Sequence, residues 1–138
     1  MSEQLEFGSE DWLEAMEQSV RAAFEAAPDR DDINFSYAET YTNIPKHLDG
    51  PEGLGYTVRM EAGNLTFLPT ASTDVDVVMI ADYDAILPRV KMVVADDPER
   101  WASTRQPLLD AGHLRTEGTG AFPSFMLEVH DVMARRTR

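Results

Sequence analysis

Apolar residues recur along this chain with two different periods, which predict where its helices and strands lie. Trp12, Met16, Val20 and Phe24 are spaced four residues apart, so their side chains would share one face of an amphipathic helix. Pro28 should follow the end of this helix, because proline cannot donate the backbone hydrogen bond that would continue it. The first helix is therefore predicted to bury a single apolar stripe.

The middle of the chain changes to the two-residue period of strands. Residues 33–41, 54–60 and 65–68 alternate between apolar and polar positions. A loop rich in proline and glycine over 43–53 and a hairpin turn over 61–64, with Gly63-Asn64 at its tip, separate the three segments. Because these connections are short, the three strands are predicted to form an antiparallel meander.

The second half of the chain predicts a further strand that runs directly into helices. Residues 74–80 begin with alternation and end fully apolar, which favours a central strand that is buried on both faces near its end. Asp82 offers a cap for the next helix, which Pro88 should kink or divide. Residues 97–109 then predict an uneven helical stretch, because an Asp-Pro-Glu start favours a helix while Pro107 interrupts it.

The chain closes with a last strand over 113–118 and a helix that opens at Pro123 or Ser124. The predicted apolar face of this helix comprises Phe125, Met126, Val129, Val132 and Met133. The whole order predicts an α+β fold, in which a five-stranded, mostly antiparallel sheet has helices packed on one face and encloses an apolar pocket. We expect residues 1–8 to be a flexible tail, and residues 9–138 to form a single domain whose first helix is capped by Ser9.

Composition narrows the classes of function. The chain carries 25 acidic and 12 basic residues, for a net charge of −13, and such a surface repels nucleic-acid backbones and anionic membranes. It has no cysteine, which excludes disulfides and thiolate zinc sites. The acidic start of the chain predicts no signal peptide, and no apolar run approaches the roughly 18 residues of a membrane span. We therefore expect a cytoplasmic protein that binds no nucleic acid and has no integral membrane segment.

Residues that could carry chemistry are few. The three histidines lack the spacing of metal ligands, and no glycine-rich phosphate loop or serine nucleophile motif occurs. Asp76, Asp82 and Asp84, beside Tyr83, are the best acid–base candidates, because a carboxyl group next to an apolar cavity holds its proton more tightly. Capping a helix is the simpler role for Asp82. We accordingly predict no metal, no cofactor and no assigned catalytic residue.

Three stretches of the second half carry recognisable motifs. They are the strand that passes into a helix at 77–84, the Gly-x-Leu-x-x-x-Gly strand at Gly112–Gly118, and the closing helix at 126–133 with its arginine ending. In this order they resemble the sterol carrier protein two family. The resemblance covers 10–135 in element order, with residue matches confined to 74–134. It implies a five-stranded sheet with helices over one face, and an apolar tunnel that binds fatty acids, acyl-CoA, sterols and similar lipids without a cofactor.

The primary expectation is therefore the binding or carriage of an apolar or amphipathic ligand, such as a lipid, fatty acyl group or sterol. The pocket would lie between the sheet and the helices. The predicted lining residues are Phe35, Tyr37, Tyr56, Val58, Phe67, Met79, Leu87, Trp101, Phe125, Val129 and Met133.

Two alternatives stay open at this point. The first is a small cofactor-independent enzyme of the isomerase or cyclase type, which would use Asp76 or Asp82 as an acid or base buried in the pocket. The second is a non-catalytic interaction protein with a filled core, which would form a homodimer through an exposed strand edge.

Overall fold

The computed structural model describes residues 4–51 and 53–138. Its helices and strands are α1 (Glu10–Ala26), β1 (Phe35–Thr42), β2 (Leu54–Glu61), β3 (Asn64–Leu68), β4 (Val77–Asp82), α2 (Tyr83–Val90), α3 (Pro98–Ser103), α4 (Arg105–Asp110), β5 (Leu114–Gly118) and α5 (Met126–Arg136). Single turns of 3-10 helix lie at Arg30–Asp32 and Lys46–Leu48.

All five strands join one sheet in the order β3-β2-β1-β4-β5. The pairs β1–β2, β2–β3 and β4–β5 are antiparallel, and β1–β4 is parallel. The predicted α+β class, the mostly antiparallel five-stranded sheet and the meander of the first three strands are therefore confirmed. β4 has a strand on each side, but Val78, Met79 and Ile80 are half-buried, so its end is less enclosed than the apolar run suggested.

The chain between β3 and β4 crosses the sheet on the face that carries no helices. Thr57 Oγ1 donates to the Thr70 carbonyl at 2.8 Å and accepts from the Ser72 amide at 2.9 Å, which fastens the crossover over β2. Gly55 of β2 allows β1 to lie close beside it, because a Cβ at this position would lie 2.3 Å from the Glu39 carbonyl oxygen. The crossover thus buries part of the outer face without a helix.

The opposite face of the sheet is apolar and lies under the helices. The register pairs Phe35 with Met60 and Tyr37 with Val58, so these side chains form one continuous surface. Helix α1 packs against α5 above it. The largest buried side chains that the two helices bring to this core are Trp12, Met16, Val20, Phe24, Val129 and Met133. One core between a sheet and a helix layer results.

Both ends of the described chain are fastened to each other. The Leu5 amide donates to the Arg136 carbonyl at 2.6 Å, and the Arg138 amide donates to the Leu5 carbonyl at 3.0 Å. Trp12 Nε1 donates to Thr137 Oγ1 at 3.0 Å, and that hydroxyl donates to the Met133 carbonyl at 2.6 Å. The start of α1 and the end of α5 are thereby held together.

Of the predicted tail over residues 1–8, the structure describes residues 4–8, which pack against the core; residues 1–3 lie outside the described residues. Phe7 has no exposed surface, and its ring stacks on Tyr83 at a centroid distance of 4.7 Å and meets Trp12 edge-on at 5.0 Å. The segment packs because Leu5 and Phe7 are apolar side chains that the fold can bury, and Leu5 gains backbone partners from the C-terminal residues.

Smaller expectations about single elements are also corrected. Helix α2 runs through Pro88 to Val90, since a proline near the end of a helix removes only one hydrogen bond from it. The β2–β3 turn has Ala62 and Gly63 at its tip, with φ values of 51° and 80°, which are typical of a two-residue hairpin turn. Val132 is 44% exposed and so does not belong to the buried face of α5.

The buried position of Phe7 makes a testable prediction. Phe7→Ala should lower the free energy of unfolding by about 3–5 kcal/mol, because it removes a fully enclosed ring and leaves a cavity. Urea unfolding followed by circular dichroism measures this change. Leu127→Ala, at a position that is 50% exposed, is the control and should change stability by only about 0.5 kcal/mol. A Phe7→Ala effect as small as the control's would mean that the segment is loose after all.

Candidate functional site

Ten of the eleven predicted lining residues meet in the space between the sheet and the helix layer. Seven of these belong to the buried core, namely Phe35, Tyr37, Tyr56, Val58, Phe67, Val129 and Met133. Met79, Leu87 and Phe125 are half-buried and pack against that core. Their role as a ligand lining stays a prediction, but the fold does bring them together.

Trp101 lies apart from the other ten residues, at the junction of α2 and α3. The Arg89 guanidinium sits 3.9 Å from the Trp101 ring centroid and donates to the Trp101 carbonyl at 2.6 Å. The ring also meets His130 edge-on at 5.4 Å. The Trp101 side chain therefore forms a cation–π contact that joins α2 to α3. The sequence pattern did not reveal this contact.

Phe122 adds an aromatic ring to the site that sequence reasoning missed. It lies in the loop between β5 and α5 and meets Tyr37 at 4.9 Å and Phe35 at 5.0 Å, edge-on in both cases. Its ring is 39% exposed. The loop therefore covers the β1 aromatics with a side chain that has solvent on one side.

Two depressions of the described surface lie near the sheet and the helices, and both open to solvent. One has a volume of about 320 Å³ and lies at the start of β1, between Phe35, Arg59 and Asp76; the other, of about 200 Å³, lies between α1 and β3. Neither is lined by a residue of α5. The enclosed apolar tunnel under the closing helix thus stays a prediction.

An acidic side chain lies on the helix-covered face of the sheet. Glu39, which is half-buried, projects from β1 on the same face as Tyr37 and Tyr41. The Tyr41 hydroxyl donates to Glu39 Oε1 at 2.7 Å, and the Tyr56 hydroxyl donates to Glu39 Oε2 at 2.6 Å. Hydrogen bonds to an ionised acceptor are short and strong, so the two tyrosines hold the carboxylate in one orientation.

The sequence contains a signal that could have found Glu39. Residues 35, 37, 39 and 41 share one face of a strand because side chains alternate, and three of these four are aromatic. The remaining residue, Glu39, is an acid on an otherwise aromatic face. Extending the alternation beyond Tyr37 would have singled out Glu39 as the acid on the covered face.

The tyrosines around Glu39 are held in their neutral form. Burial, and after it the charge of Glu39, raise the pKa of Tyr37, Tyr41 and Tyr56 above the usual tyrosine value. Tyr41 and Tyr56 therefore act as hydrogen-bond donors to the carboxylate. The Tyr37 hydroxyl is fully buried and forms no hydrogen bond of normal geometry with the described residues, although the nearby Tyr56 hydroxyl acts to lower its pKa.

Glu39 stands where the covered face begins to open. One row of the sheet register runs from Tyr56 through Glu39 and Met79 to Thr116. Along this row, Tyr56 is buried, Glu39 and Met79 are half-buried and Thr116 is exposed. The side of the row toward β5 is therefore the open side, and the carboxylate lies between the packed core and solvent.

The two aspartates that the enzyme alternative requires lie outside the helix-covered space. The Asp82 carboxylate accepts from Asn43 Nδ2 at 2.6 Å and caps α2 through the Ala85 amide at 3.0 Å. These two hydrogen bonds, the one from Asn43 first, lower the pKa of Asp82. Asp76 is exposed and accepts from the Ser36 amide at 2.9 Å. Neither carboxyl group therefore faces the apolar space that the enzyme alternative requires.

Within residues 4–51 and 53–138, no group of three or more histidine or acidic residues could hold a metal ion. No helix in the same residues is both long and apolar enough to cross a membrane.

Comparison with known proteins identifies the fold. No family model and no curated protein matches the sequence. Among solved structures, the chain is similar to one described as the crystal structure of sterol carrier protein 2, with a TM-score of 0.54 and 15% identity over 96% of this chain and 100% of that one. It is also similar to one described as UbiJ-SCP2 ubiquinone synthesis protein, with a TM-score of 0.50 and 11% identity over 94% and 96% of the two chains. The predicted resemblance is confirmed at the level of the fold.

The buried tyrosines predict a coupled alkaline transition. Burial raises the pKa of Tyr83 to about 12, and the three tyrosines around Glu39 are raised as well. Because the fold favours the neutral form, stability should be complete below about pH 10, the ordinary tyrosine pKa, and decline at higher pH.

Tyrosinate absorbance and circular dichroism, recorded together against pH, test this prediction. Both signals should change in one transition, whereas the chain in guanidinium should titrate near pH 10, the value of an exposed tyrosine. Tyrosinate that forms near pH 10 while the circular dichroism stays native would contradict it.

Proposed function

We propose that the protein binds an apolar or amphipathic small molecule between the sheet and the helix layer, and carries it without a cofactor. A lipid, fatty acyl group or sterol has the required chemistry. The observation that carries the proposal is the aromatic, methionine-bearing face of the sheet under helices, in a fold shared with a structure described as sterol carrier protein 2.

The residues on this face suit an apolar ligand. Aromatic side chains contribute large contact areas, and methionine adapts its shape to irregular partners. Burying apolar surface is worth about 25 cal/mol per Å². A ligand that covers the half-buried side chains of Met79, Leu87 and Phe125 would therefore gain affinity without new polar contacts.

Entry would occur at the β5 edge of the covered face. The inner-face residue Thr116 and its neighbours in β5 are exposed, and Phe122 covers Phe35 and Tyr37 from a loop. Displacing one partly exposed ring disturbs less packing than parting α1 from α5. In this proposal Phe122 moves aside, and the ligand takes its place against the β1 aromatics.

A pair of adjacent residues on β4 tests the location of the site. Met79 faces the helices and Ile80 faces the opposite side, and both are half-buried. Met79→Gln should weaken binding of the neutral probe N-phenyl-1-naphthylamine by roughly fivefold or more, because a buried unpaired amide costs about 1–3 kcal/mol. Ile80→Gln is the matched control and should leave affinity unchanged.

Probe fluorescence measures the affinities, and melting curves check that both variants fold. Native mass spectrometry and lipid extraction of the purified protein give an independent readout. The proposal fails if no lipid copurifies, no lipid or steroid shifts the melting temperature and the probe does not bind. Equal losses of affinity in the two variants would place the site elsewhere.

A further inference from the structure

We propose that Glu39 and its neighbouring tyrosines anchor the head group of the ligand, and that this head group is a hydrogen-bond donor, either a hydroxyl or an amine. This inference rests on the proposed function, which it deepens by selecting among amphipathic ligands. It excludes ligands whose head is a free carboxylate or a phosphate.

Glu39 can still accept hydrogen bonds from a ligand. An ionised carboxylate accepts hydrogen bonds only and has about four lone-pair sites on its two oxygens. Tyr41 occupies one site on Oε1 and Tyr56 occupies one site on Oε2. Each oxygen therefore keeps one free site, which requires a donor.

The described residues around Glu39 offer no partner to an anionic head group. Both tyrosine hydroxyls that touch Glu39 donate to it, so neither proton is available to a ligand. Within the described part of the chain, no lysine or arginine forms an ion pair with Glu39. A second carboxylate beside Glu39 would meet a like charge without compensation, and the overall charge of −13 repels it further.

The Tyr37 hydroxyl also favours a polar head group at this place. The Tyr37 hydroxyl, two residues before Glu39 on the same strand face, is fully buried, lies near the Tyr56 hydroxyl and forms no hydrogen bond of normal geometry with the described residues. Such a hydroxyl can both donate and accept. A ligand hydroxyl could donate to Glu39 and accept from Tyr37, whereas an amine would donate to either.

The position of Glu39 on the sheet leaves a route by which a ligand can reach it. Glu39 is half-buried and adjoins Met79 on the open side of its row. A head group that reaches Glu39 past Met79 leaves its apolar chain against β4 and the loop of Phe122. The polar anchor and the apolar site proposed above thus lie next to each other on one face.

Three probes with the same apolar chain and different heads test this inference: dodecylamine, 1-dodecanol and dodecanoate, each below its micelle concentration. Displacement of N-phenyl-1-naphthylamine at neutral pH gives their affinities. The amine and the alcohol should each bind about tenfold or more tightly than dodecanoate, in line with the strength of one hydrogen bond to a charged group.

Glu39→Gln isolates the anchor. It should weaken dodecylamine about tenfold and reduce its advantage over dodecanoate, because an amide neither attracts an ammonium group nor repels a carboxylate. Glu117→Gln is the matched control, because it makes the same change of charge at an exposed position on the opposite face of the sheet. It should change neither affinity.

The outcomes separate the two proposals. Failure of the naphthylamine probe and of all three dodecyl probes would overturn the apolar site itself. If the probe binds but dodecanoate binds as tightly as dodecylamine, the anchor is wrong and the apolar site stands. The same holds if Glu39→Gln behaves like Glu117→Gln; the comparison of wild-type head groups decides the question even if Glu39→Gln does not fold.

Discussion

The structure depends on covering one aromatic sheet face. Strand β1 places Phe35, Tyr37 and Tyr41 on the same side, and β2 extends that surface with Tyr56 and Val58. Rings of this size dominate core energetics and cannot be left in water without a large loss of hydrophobic free energy. The helices α1 and α5, the segment that buries Phe7 and the loop of Phe122 all meet this one requirement, which explains why both chain ends converge on the same core.

Glu39 is the exception on this aromatic face, because its side chain is charged. An ionised carboxylate at an apolar surface is costly unless it is hydrogen-bonded. Here the cost is offset by Tyr41 and Tyr56, whose hydroxyls would themselves lack partners in an apolar core. Acid and tyrosines thus satisfy one another, while Tyr37 keeps an unused hydroxyl. The hydrogen-bonding capacity of this polar cluster is nearly, but not fully, satisfied by the described residues.

Local patterns predicted most of the elements, because periods of two and four residues depend on neighbours in sequence. The caps at Ser9, Asp82 and Asp97 could be located for the same reason. Long-range partners could not: the pairing of Leu5 with the C-terminal residues joins opposite ends of the chain, and no short window contains it. The cation–π contact of Trp101 could not be predicted for the same reason, since its partner Arg89 lies on another helix.

The two halves of the covered face have different consequences for a ligand. Around β1 and β2 the side chains fill the space under α1 and α5, so changes there would act mainly on stability. Around β4 and β5 the inner-face side chains Met79 and Thr116 are half-buried and exposed, respectively, so they can rearrange at lower cost. A face that is closely packed on one side and more exposed on the other separates folding from recognition. Ligand choice would then rest on Glu39, the residue at the boundary between the two halves.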